Sequence, residues 1–244
     1  MKTLKILETE ISDTTVNEVC ALLIEKNNLK VAICNANTLV QSVKNLNLRE
    51  AVNKFDIKTP DGYPVAKARS YLKKSPFERV DGYKVFLKTI ETGLESNTKH
   101  FFFGSSKVIT DKMCKKLKEK YPTINIAGVF NPEILNIDEL TLKYQNFFSD
   151  VETDIVWVSL GFPKQELFID QLCNEIKPKA NIVGVGAVFE WMSGEKRKAP
   201  EWMANLGLEW FLRLIQDPKR LYKRYFIDNT LFILYFLRQV FFRK

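Results

Sequence analysis

The stretch Asp154-Ile-Val-Trp-Val-Ser159, which is followed closely by Gly161, decides the fold of this 244-residue chain. Between its polar ends every residue is apolar, with no alternation of polar and apolar positions. A near-continuous apolar run of this length is typical of a strand covered on both faces, as in a parallel sheet. Further runs predict four more such strands, at 31–34, 101–103, 124–127 and 181–185.

Amphipathic segments between these runs predict helices, at 16–26, 38–45, 48–54, 83–95, 107–120, 138–148 and 165–176. The alternation favours an α/β fold: a Rossmann-like, mostly parallel sheet with helices on both faces. Ligands bind such sheets beyond the carboxyl ends of the strands. Three predicted strands are followed there by Gly104, Gly161 and Gly186, and glycine lets backbone come close to a ligand. We therefore expect Gly104 and Gly186 to contact substrate.

The last fifth of the chain differs in character from the rest. After Gly194 a charged segment, 195–200, predicts a boundary near residue 195, between an α/β core (1–195) and a helical appendage (196–244). Helical patterns follow at 201–206, 208–216, 219–227 and 231–242, with Asp217 and Pro218 as cap and first residue of the third. The appendage holds 11 Lys and Arg against 4 Asp and Glu, whereas the core holds 26 against 25. A basic, aromatic appendage indicates an anionic partner: a membrane, a nucleic acid or a phosphorylated ligand.

Several features predict a cytoplasmic protein whose membrane contact is peripheral. Residues 1–10 lack a signal-peptide core, and the longest apolar run, Leu231 to Leu237, is far shorter than the roughly 20 residues of a membrane span. The four cysteines have no close spacing, so neither a redox pair nor a zinc site is predicted. The last helix, flanked by Arg238, Arg243 and Lys244, either docks on the core or lies in the membrane interface.

Asp61, in Thr59-Pro-Asp-Gly-Tyr63, is the candidate general base. Pro-Asp-Gly is also ordinary turn chemistry, and that alternative stays open. A carboxylate on a tight loop at a strand end can reach a substrate hydroxyl. The single histidine, His100, starts a predicted strand and is expected to be structural.

Gly161-Phe-Pro-Lys-Gln-Glu166 places a predicted helix start just after a strand. Free N–H groups at such a start favour anions, so Lys164 and Gln165 are candidates for contact with a phosphate or a sugar hydroxyl. An ordinary strand-to-helix turn is the alternative. Gly104-Ser-Ser106 has the same placement, but it matches neither the dinucleotide fingerprint nor a Walker loop.

Arg213, Arg220 and Arg224 are the appendage residues best suited to hold a diphosphate. A guanidinium group can donate two parallel hydrogen bonds to phosphate oxygens, and its charge neutralises a departing diphosphate. A solvated or lipid-facing row of charges is the alternative. No Asp-x-Asp motif for a divalent metal occurs in the sequence, which favours neutralisation by arginine. We expect neither a metal nor a cofactor.

These segments together resemble the WecG/TagA/CpsF family of glycosyltransferases, from about Val31 to Tyr225. The resemblance rests on four groups of motifs: Asn35-Ala-Asn-Thr-Leu39; Pro60-Asp-Gly62 with Glu78-Arg-Val-Asp-Gly82; Gly161-Phe-Pro-Lys-Gln-Glu166; and Gly184-Val-Gly-Ala-Val-Phe189 with Arg197-Lys-Ala-Pro-Glu-Trp202 and Gly207-Leu-Glu-Trp210.

The resemblance implies an inverting, metal-independent transferase. Its donor would be a UDP-sugar, often of the N-acetylmannosamine type, and its acceptor an undecaprenyl-diphosphate-linked sugar. By resemblance Asp61 is the base, and Arg79, which follows the base loop, is the second candidate catalytic residue. Asn35 and Gln165 contact substrate, and the appendage arginines Arg213, Arg220 and Arg224 complete the site. The implied partners are this donor, this acceptor, the membrane surface and further copies of the chain, but not nucleic acid.

One position departs from the family pattern. Ile33 replaces the threonine that usually lies two residues before the asparagine of the first motif. A neutral hydrogen bond contributes about 0.5–1.5 kcal/mol, so we expect the loss of this hydroxyl to change specificity rather than to abolish activity.

Two other functions would account for part of the sequence. A non-catalytic module that binds membranes or nucleic acid would explain the basic appendage, but not the polar residues at the strand ends. A nucleotide-dependent oxidoreductase would need the glycine-rich dinucleotide turn, which does not open the predicted sheet.

Overall fold

The structure, a computed structural model, describes residues 1–242, so the predicted flanking charges Arg243 and Lys244 lie outside the described residues. Its strands are β1 (Thr3–Ile6), β2 (Thr9–Ser12), β3 (Lys30–Cys34), β4 (Ile57–Pro60), β5 (Lys99–Gly104), β6 (Asn125–Phe130), β7 (Ile155–Ser159) and β8 (Asn181–Gly184). The last six form one sheet in the order β4-β3-β8-β7-β5-β6, and every pairing in it is parallel.

Helices connect the strands and cover both faces of this sheet, which confirms the predicted Rossmann-like α/β fold. The core helices are α1 (Val16–Glu25), α2 (Ala36–Lys44), α3 (Leu46–Asn53), α4 (Tyr63–Lys73), α5 (Gly82–Gly93), α6 (Lys107–Lys120), α7 (Ile137–Asp150), α8 (Lys164–Glu175) and α9 (Val188–Ser193). The appendage helices are α10 (Glu201–Asn205), α11 (Glu209–Gln216), α12 (Pro218–Lys223) and α13 (Asn229–Phe242), with a π-helical turn at Arg224–Asp228 before α13.

The stretch at β7 is buried on both sides of the sheet, as its composition predicts. Val156 and Val158 belong to one apolar cluster, while Ile155 and Trp157 belong to the cluster on the opposite face. Because successive side chains of a strand point to opposite faces, an unbroken apolar run fills both clusters at once. This central strand therefore fixes where the two helical layers pack.

Four structured segments have no predicted counterpart: the hairpin β1–β2, the strand β4, and the helices α4 and α9. The hairpin β1–β2 has strands of only four residues each, too short for a clear periodic signal. Helix α4 follows the turn residues Pro60, Asp61 and Gly62 directly and carries Pro64 in its first turn. Proline is tolerated there because the first N–H groups of a helix have no partner within the helix.

Ser12 and Asp13 are cap candidates by residue type for the predicted helix at 16–26, but neither of them caps α1. Thr15 is the cap, and it forms a capping box with Glu18. Asp13 instead forms ion pairs with Arg69 and Lys73 of α4. Those pairs fasten the segment before α1 to α4, the helix that follows the candidate base.

The appendage packs on the core through α13 and the π-helical turn, which contact α2. Side chains of α11, α12 and the π-helical turn line a cavity at the carboxyl ends of the strands. Pro218 opens α12 as predicted, but the carboxylate of Asp217 accepts a hydrogen bond from Arg220 Nε at 2.6 Å instead of capping the backbone. In the last helix Phe232 is buried, and Gln239 exchanges hydrogen bonds with Leu7 N and Lys5 O of the N-terminal hairpin. One face of α13 thus docks on the core, while Ile233, Leu234 and Phe241 remain exposed.

None of the helices within residues 1–242 combines the length and the apolar character that crossing a bilayer requires.

Candidate active site

Asp61 lies where the carboxyl end of β4 meets the neighbouring strand β3. Its backbone N–H donates to Cys34 O at 2.8 Å, which joins the ends of the two strands. Its carboxylate accepts from Gly62 N at 2.6 Å, and Gly62 adopts a positive φ of 75° that favours glycine. The Pro-Asp-Gly segment is thus a strand-to-helix turn, and that turn directs the carboxylate of Asp61 into two adjoining cavities.

The surroundings of Asp61 raise its pKa to about 6. Burial is the main cause, because it disfavours the charged form. The guanidinium of Arg79 opposes the shift, while the carboxylates of Asp81 and Glu209 add to it. A carboxylate with a pKa near neutrality is well suited to general-base catalysis, because it is ionised at neutral pH and still binds a proton appreciably.

Arg79 connects the core to the appendage rather than extending freely into the cavity. Its Nη2 donates to Asp81 at 3.2 Å and to Glu209 of α11 at 2.8 Å, and its Nη1 donates to Ala204 O at 3.4 Å. Burial disfavours the charged guanidinium, but the surrounding carboxylates, Asp61 among them, raise the pKa of Arg79 above its ordinary value. Arg79 therefore remains charged and holds Glu209 over the end of β4.

Asn35 and Ile33 contribute to different parts of the site. Asn35 caps α2, accepting from Thr38 N at 3.3 Å, and it lines the larger cavity next to Asp61. Ile33 lines the smaller cavity, where its side chain also packs against Gly82 and Val188. The position at which the family usually has threonine therefore presents an apolar wall to the smaller cavity.

Gln165 links the ends of β7 and β8. Its Oε1 accepts from Gly186 N at 3.1 Å, and its Nε2 donates to Glu166 Oε1 at 2.9 Å. Gln165, Glu166 and Gly186 all line the smaller cavity. The two predicted contact residues Gln165 and Gly186 are thus neighbours.

Glu166 was not singled out from the sequence, although it belongs to the same motif. It is buried, and its Oε2 has no hydrogen-bond partner among the described residues. Burial raises the pKa of Glu166 to about 7, against the opposing hydrogen bond from Gln165. Glu166 therefore adds a second carboxyl group with a raised pKa to the smaller cavity.

The three predicted appendage arginines reach the cavities in different ways. Arg213 and Arg224 line both cavities, whereas Arg220 lines only the smaller of the two. Arg213 stacks over the ring of Trp191, with 5.0 Å from Cζ to the ring centroid. Arg220 is half exposed and is held by Asp217.

Arg224 has no carboxylate within 4 Å among residues 1–242. Burial and the nearby positive charge of Arg213 lower the pKa of Arg224 to about 10. It remains a cation at neutral pH, and an anion bound beside it would favour the charged form and so oppose this lowering of the pKa.

The two cavities meet at Asp61, Glu209, Arg213 and Arg224, which line both. The larger has a volume of about 410 Å³, and its lining on the appendage side includes Trp210, Tyr225, Phe226, Asn229 and Thr230. The smaller, about 80 Å³, lies over the ends of β7 and β8. Ligand sites usually measure roughly 300–1,000 Å³, so the larger can admit a ligand as it stands and the smaller would have to widen.

Three residues discussed for the sequence do not line these cavities: Gly104 and Lys164, which were expected to contact substrate, and His100, which was expected to be structural. Gly104 has a positive φ of 118°, and a Cβ there would collide with the backbone of Ser159, so its glycine has a packing reason. Lys164 donates to Leu135 O and not into a cavity. His100 Nδ1 accepts from Trp157 Nε1 at 3.2 Å, and burial lowers its pKa to about 4, which fits the predicted structural role.

Within residues 1–242, no group of three or more His, Cys, Asp or Glu side chains is arranged to hold a metal ion.

Comparison with known proteins decides the family. Residues 4–244 match the Glycosyl transferase WecG/TagA/CpsF family. This chain belongs to that family. The match includes all but the first residue of the N-terminal hairpin and the whole appendage, and so extends beyond the motifs that carry the resemblance. The chain is accordingly a glycosyltransferase, which removes the non-catalytic binding module and the oxidoreductase as alternatives.

Two relatives of this transferase carry the same name, N-acetylglucosaminyldiphosphoundecaprenol N-acetyl-beta-D-mannosaminyltransferase. The protein of Bacillus subtilis (strain 168) is 29% identical over 190 residues, which cover 78% of this chain and 72% of the relative. The protein of Bacillus spizizenii (strain ATCC 23059 / NRRL B-14472 / W23) is 28% identical over 180 residues, which cover 74% of this chain and 68% of the relative.

Proposed function

We propose that this glycosyltransferase moves a sugar of the N-acetylmannosamine type, or a related hexose, from a UDP-sugar to an undecaprenyl-diphosphate-linked sugar. The product would serve the synthesis of a cell-surface polysaccharide. The names of the two Bacillus relatives support this acceptor and this class of transferred sugar. The observation that carries the proposal is the shared lining of the cavities: a carboxylate with a raised pKa and two guanidinium groups converge on one space.

The proposed reaction is a single displacement with inversion at the anomeric carbon. Asp61 takes the proton from an acceptor hydroxyl while that oxygen bonds to the anomeric carbon of the donor sugar. The bond from that carbon to the diphosphate oxygen breaks on the opposite side, and its electron pair leaves with UDP. Arg213 and Arg224, with Arg220 at the rim, neutralise the developing charge without a metal ion.

Each other site residue has a position that suits this reaction. Arg79 acts as a positioning residue, because it holds Glu209 and the start of α11 over Asp61. Asn35 lies beside Asp61, where its amide can hydrogen bond to a sugar hydroxyl. Gln165 and Gly186 form the floor of the smaller cavity, where we assign the donor. Donor binding then has to widen this cavity by moving the appendage near Arg220. Gly104 is not included, since it does not line either cavity.

The two-part organisation, with a boundary near residue 195, and the membrane contact of the appendage are part of this proposal. Large apolar side chains are exposed on α10, α11 and the following segments, among them Trp202, Leu206, Phe211, Ile215, Tyr222, Phe226 and Ile227. Basic residues are interspersed with them, and each basic residue near an anionic leaflet contributes about 1 kcal/mol. We therefore propose peripheral binding to the cytoplasmic face of the membrane, where the lipid-linked acceptor lies. Self-association of the chain stays a prediction.

Release of UDP tests the reaction class. The protein is incubated with a panel of UDP-sugars and a lipid-diphosphate sugar acceptor, with and without EDTA. We expect release with one donor, dependent on acceptor and unaffected by EDTA. Release that requires a divalent metal would contradict neutralisation by arginine, and folded protein that releases no UDP from any donor would contradict the proposed donor class.

A further inference from the structure

An apolar groove runs between α4 and α13 beside the larger cavity. This α4–α13 groove has a volume of about 590 Å³. Eleven described residues line it, and only Lys67 among them is charged. The apolar ones come from both helices: Tyr63, Pro64, Ala68 and Tyr71 from α4, and Phe232, Ile233, Phe236, Leu237, Val240 and Phe241 from α13.

The groove is continuous with the candidate active site. Tyr63, Pro64 and Ile233 line both the groove and the larger cavity. One path therefore leads from Asp61 and the cationic side chains of Arg213 and Arg224 into a surface that is almost wholly apolar. This arrangement matches an amphiphile, whose anionic head would lie in the cationic cavity and whose long apolar chain would lie in the groove.

Contacts within the protein fix both walls of the groove, so the groove is formed without a ligand. Phe232 is 2% exposed and stacks on Phe236, with 6.1 Å between ring centroids. Phe236 in turn meets Tyr71 of α4 edge-on at 6.2 Å. Gln239 fixes the far end of α13 to Lys5 and Leu7 of the N-terminal hairpin.

We propose that the α4–α13 groove binds the isoprenoid chain of the acceptor, in the part nearest to its diphosphate. The inference rests on the proposed function for the identity of the amphiphile. It adds a binding site that selects acceptors by their lipid and directs the attached sugar toward Asp61. The groove would lift the first isoprene units out of the membrane while the rest of the chain stays in it.

Equilibrium binding of prenyl diphosphates without a sugar tests the groove independently of transfer. Their affinity is measured by calorimetry, below the concentration at which they form micelles, as the chain grows from one isoprene unit to three. Burial of a methylene contributes about 0.8 kcal/mol, or roughly fourfold in affinity. For a half-open groove we expect a gain of at least about tenfold from the shortest to the longest chain.

Matched variants locate this gain. Leu237 lines the groove, whereas Leu234, one turn earlier on α13, does not, and the two are 46% and 56% exposed. We expect Leu237→Gln to lose most of the dependence on chain length and Leu234→Gln to keep it. Tyr71→Ser, on the opposite wall and 62% exposed, should behave like Leu237→Gln. Circular dichroism confirms folding, which substitutions at such exposed positions should leave intact.

Two results would overturn the proposal. One is an affinity of the parent protein that does not rise with chain length. The other is an equal loss in Leu234→Gln and Leu237→Gln, which would make the groove an ordinary part of an apolar, membrane-facing surface. A dependence on chain length that persists in a protein unable to release UDP would support the groove and contradict the proposed transfer reaction.

Discussion

Arg79 Nη2 lies 2.8 Å from Glu209 Oε2, and this ion pair joins the core to the appendage directly beside the candidate base. Both side chains are largely buried, at 8% and 16% exposure. The pair thus affects two properties at once: the attachment of α11 and the pKa of Asp61, which Arg79 lowers and Glu209 raises.

Glu209→Gln tests this double role. A hydrogen bond to a charged group contributes about 1.5–3 kcal/mol, so we expect the free energy of unfolding to fall by about that amount. Loss of the Glu209 charge should also lower the pKa of Asp61, and the acid limb of the pH–rate profile should move to lower pH. Glu201→Gln, which removes an exposed partner of Lys84, is the control and should change neither. An unmoved acid limb in Glu209→Gln would contradict the electrostatic coupling.

The pH dependence of the parent enzyme follows from the raised pKa of Asp61. The base must be ionised to accept a proton, so kcat/KM should fall as pH drops through about 6. Steady-state UDP release at subsaturating acceptor measures this limb. Since an unperturbed aspartate titrates near pH 3.9, a rate that stays constant well below pH 6 would mean that burial does not act on the catalytic base as described.

The arginines should differ in importance. Arg224 lacks a carboxylate partner among the described residues and lines both cavities, whereas Arg220 is 55% exposed and bound to Asp217. We expect Arg224→Gln to lower kcat by about 10²–10³-fold, the usual effect of losing a preorganised group that stabilises transition-state charge. Arg220→Gln should lower kcat less than tenfold. Lys223→Gln, which lies outside both cavities, should leave kcat unchanged. A larger loss in Arg220→Gln than in Arg224→Gln would reverse the assignment.

His100 should affect acid stability and not catalysis. Its pKa falls from 6.5 to about 4 on folding, because burial disfavours the imidazolium. The unfolded chain therefore binds this proton more readily, and stability is lost as pH falls from 6.5 toward 4. His100→Gln, which removes the titration, should show a smaller loss of unfolding free energy over that interval and an unchanged kcat. Equal losses in both proteins would show that His100 does not titrate differently on folding.

The order of apolar and polar residues along the chain was enough to predict the central parallel sheet and the strand ends that carry the site. The unbroken apolar run at β7 determines a strand buried on both faces, and Asn35, Asp61, Gln165 and Gly186 follow strand ends that the parallel sheet brings to one edge. The sequence pattern could not indicate which arginine would be neutralised. Asp217 binds Arg220, three residues on, whereas Arg224, at the start of the π-helical turn, lines both cavities.

Contacts between distant segments account for most of what the sequence missed. Glu209 approaches Arg79 across 130 positions of the chain, and Gln239 approaches Leu7 across 232. No periodic pattern encodes such a pairing, because Glu209 and Gln239 are ordinary polar residues in their own helices. The sequence does not indicate Glu166 for a related reason. The burial of its carboxyl group, whose Oε2 has no partner among the described residues, arises only when the strand ends come together.

Single-turnover UDP release by Asp61→Asn, measured beside donor affinity, tests the central claim most directly. The amide keeps the size of the side chain but cannot accept the proton of the acceptor. We predict a fall in the transfer rate of about 10²–10⁴-fold, with a dissociation constant for the donor close to that of the parent. A transfer rate near the parent value, with donor binding intact, would show that Asp61 is not the base and would contradict the mechanism.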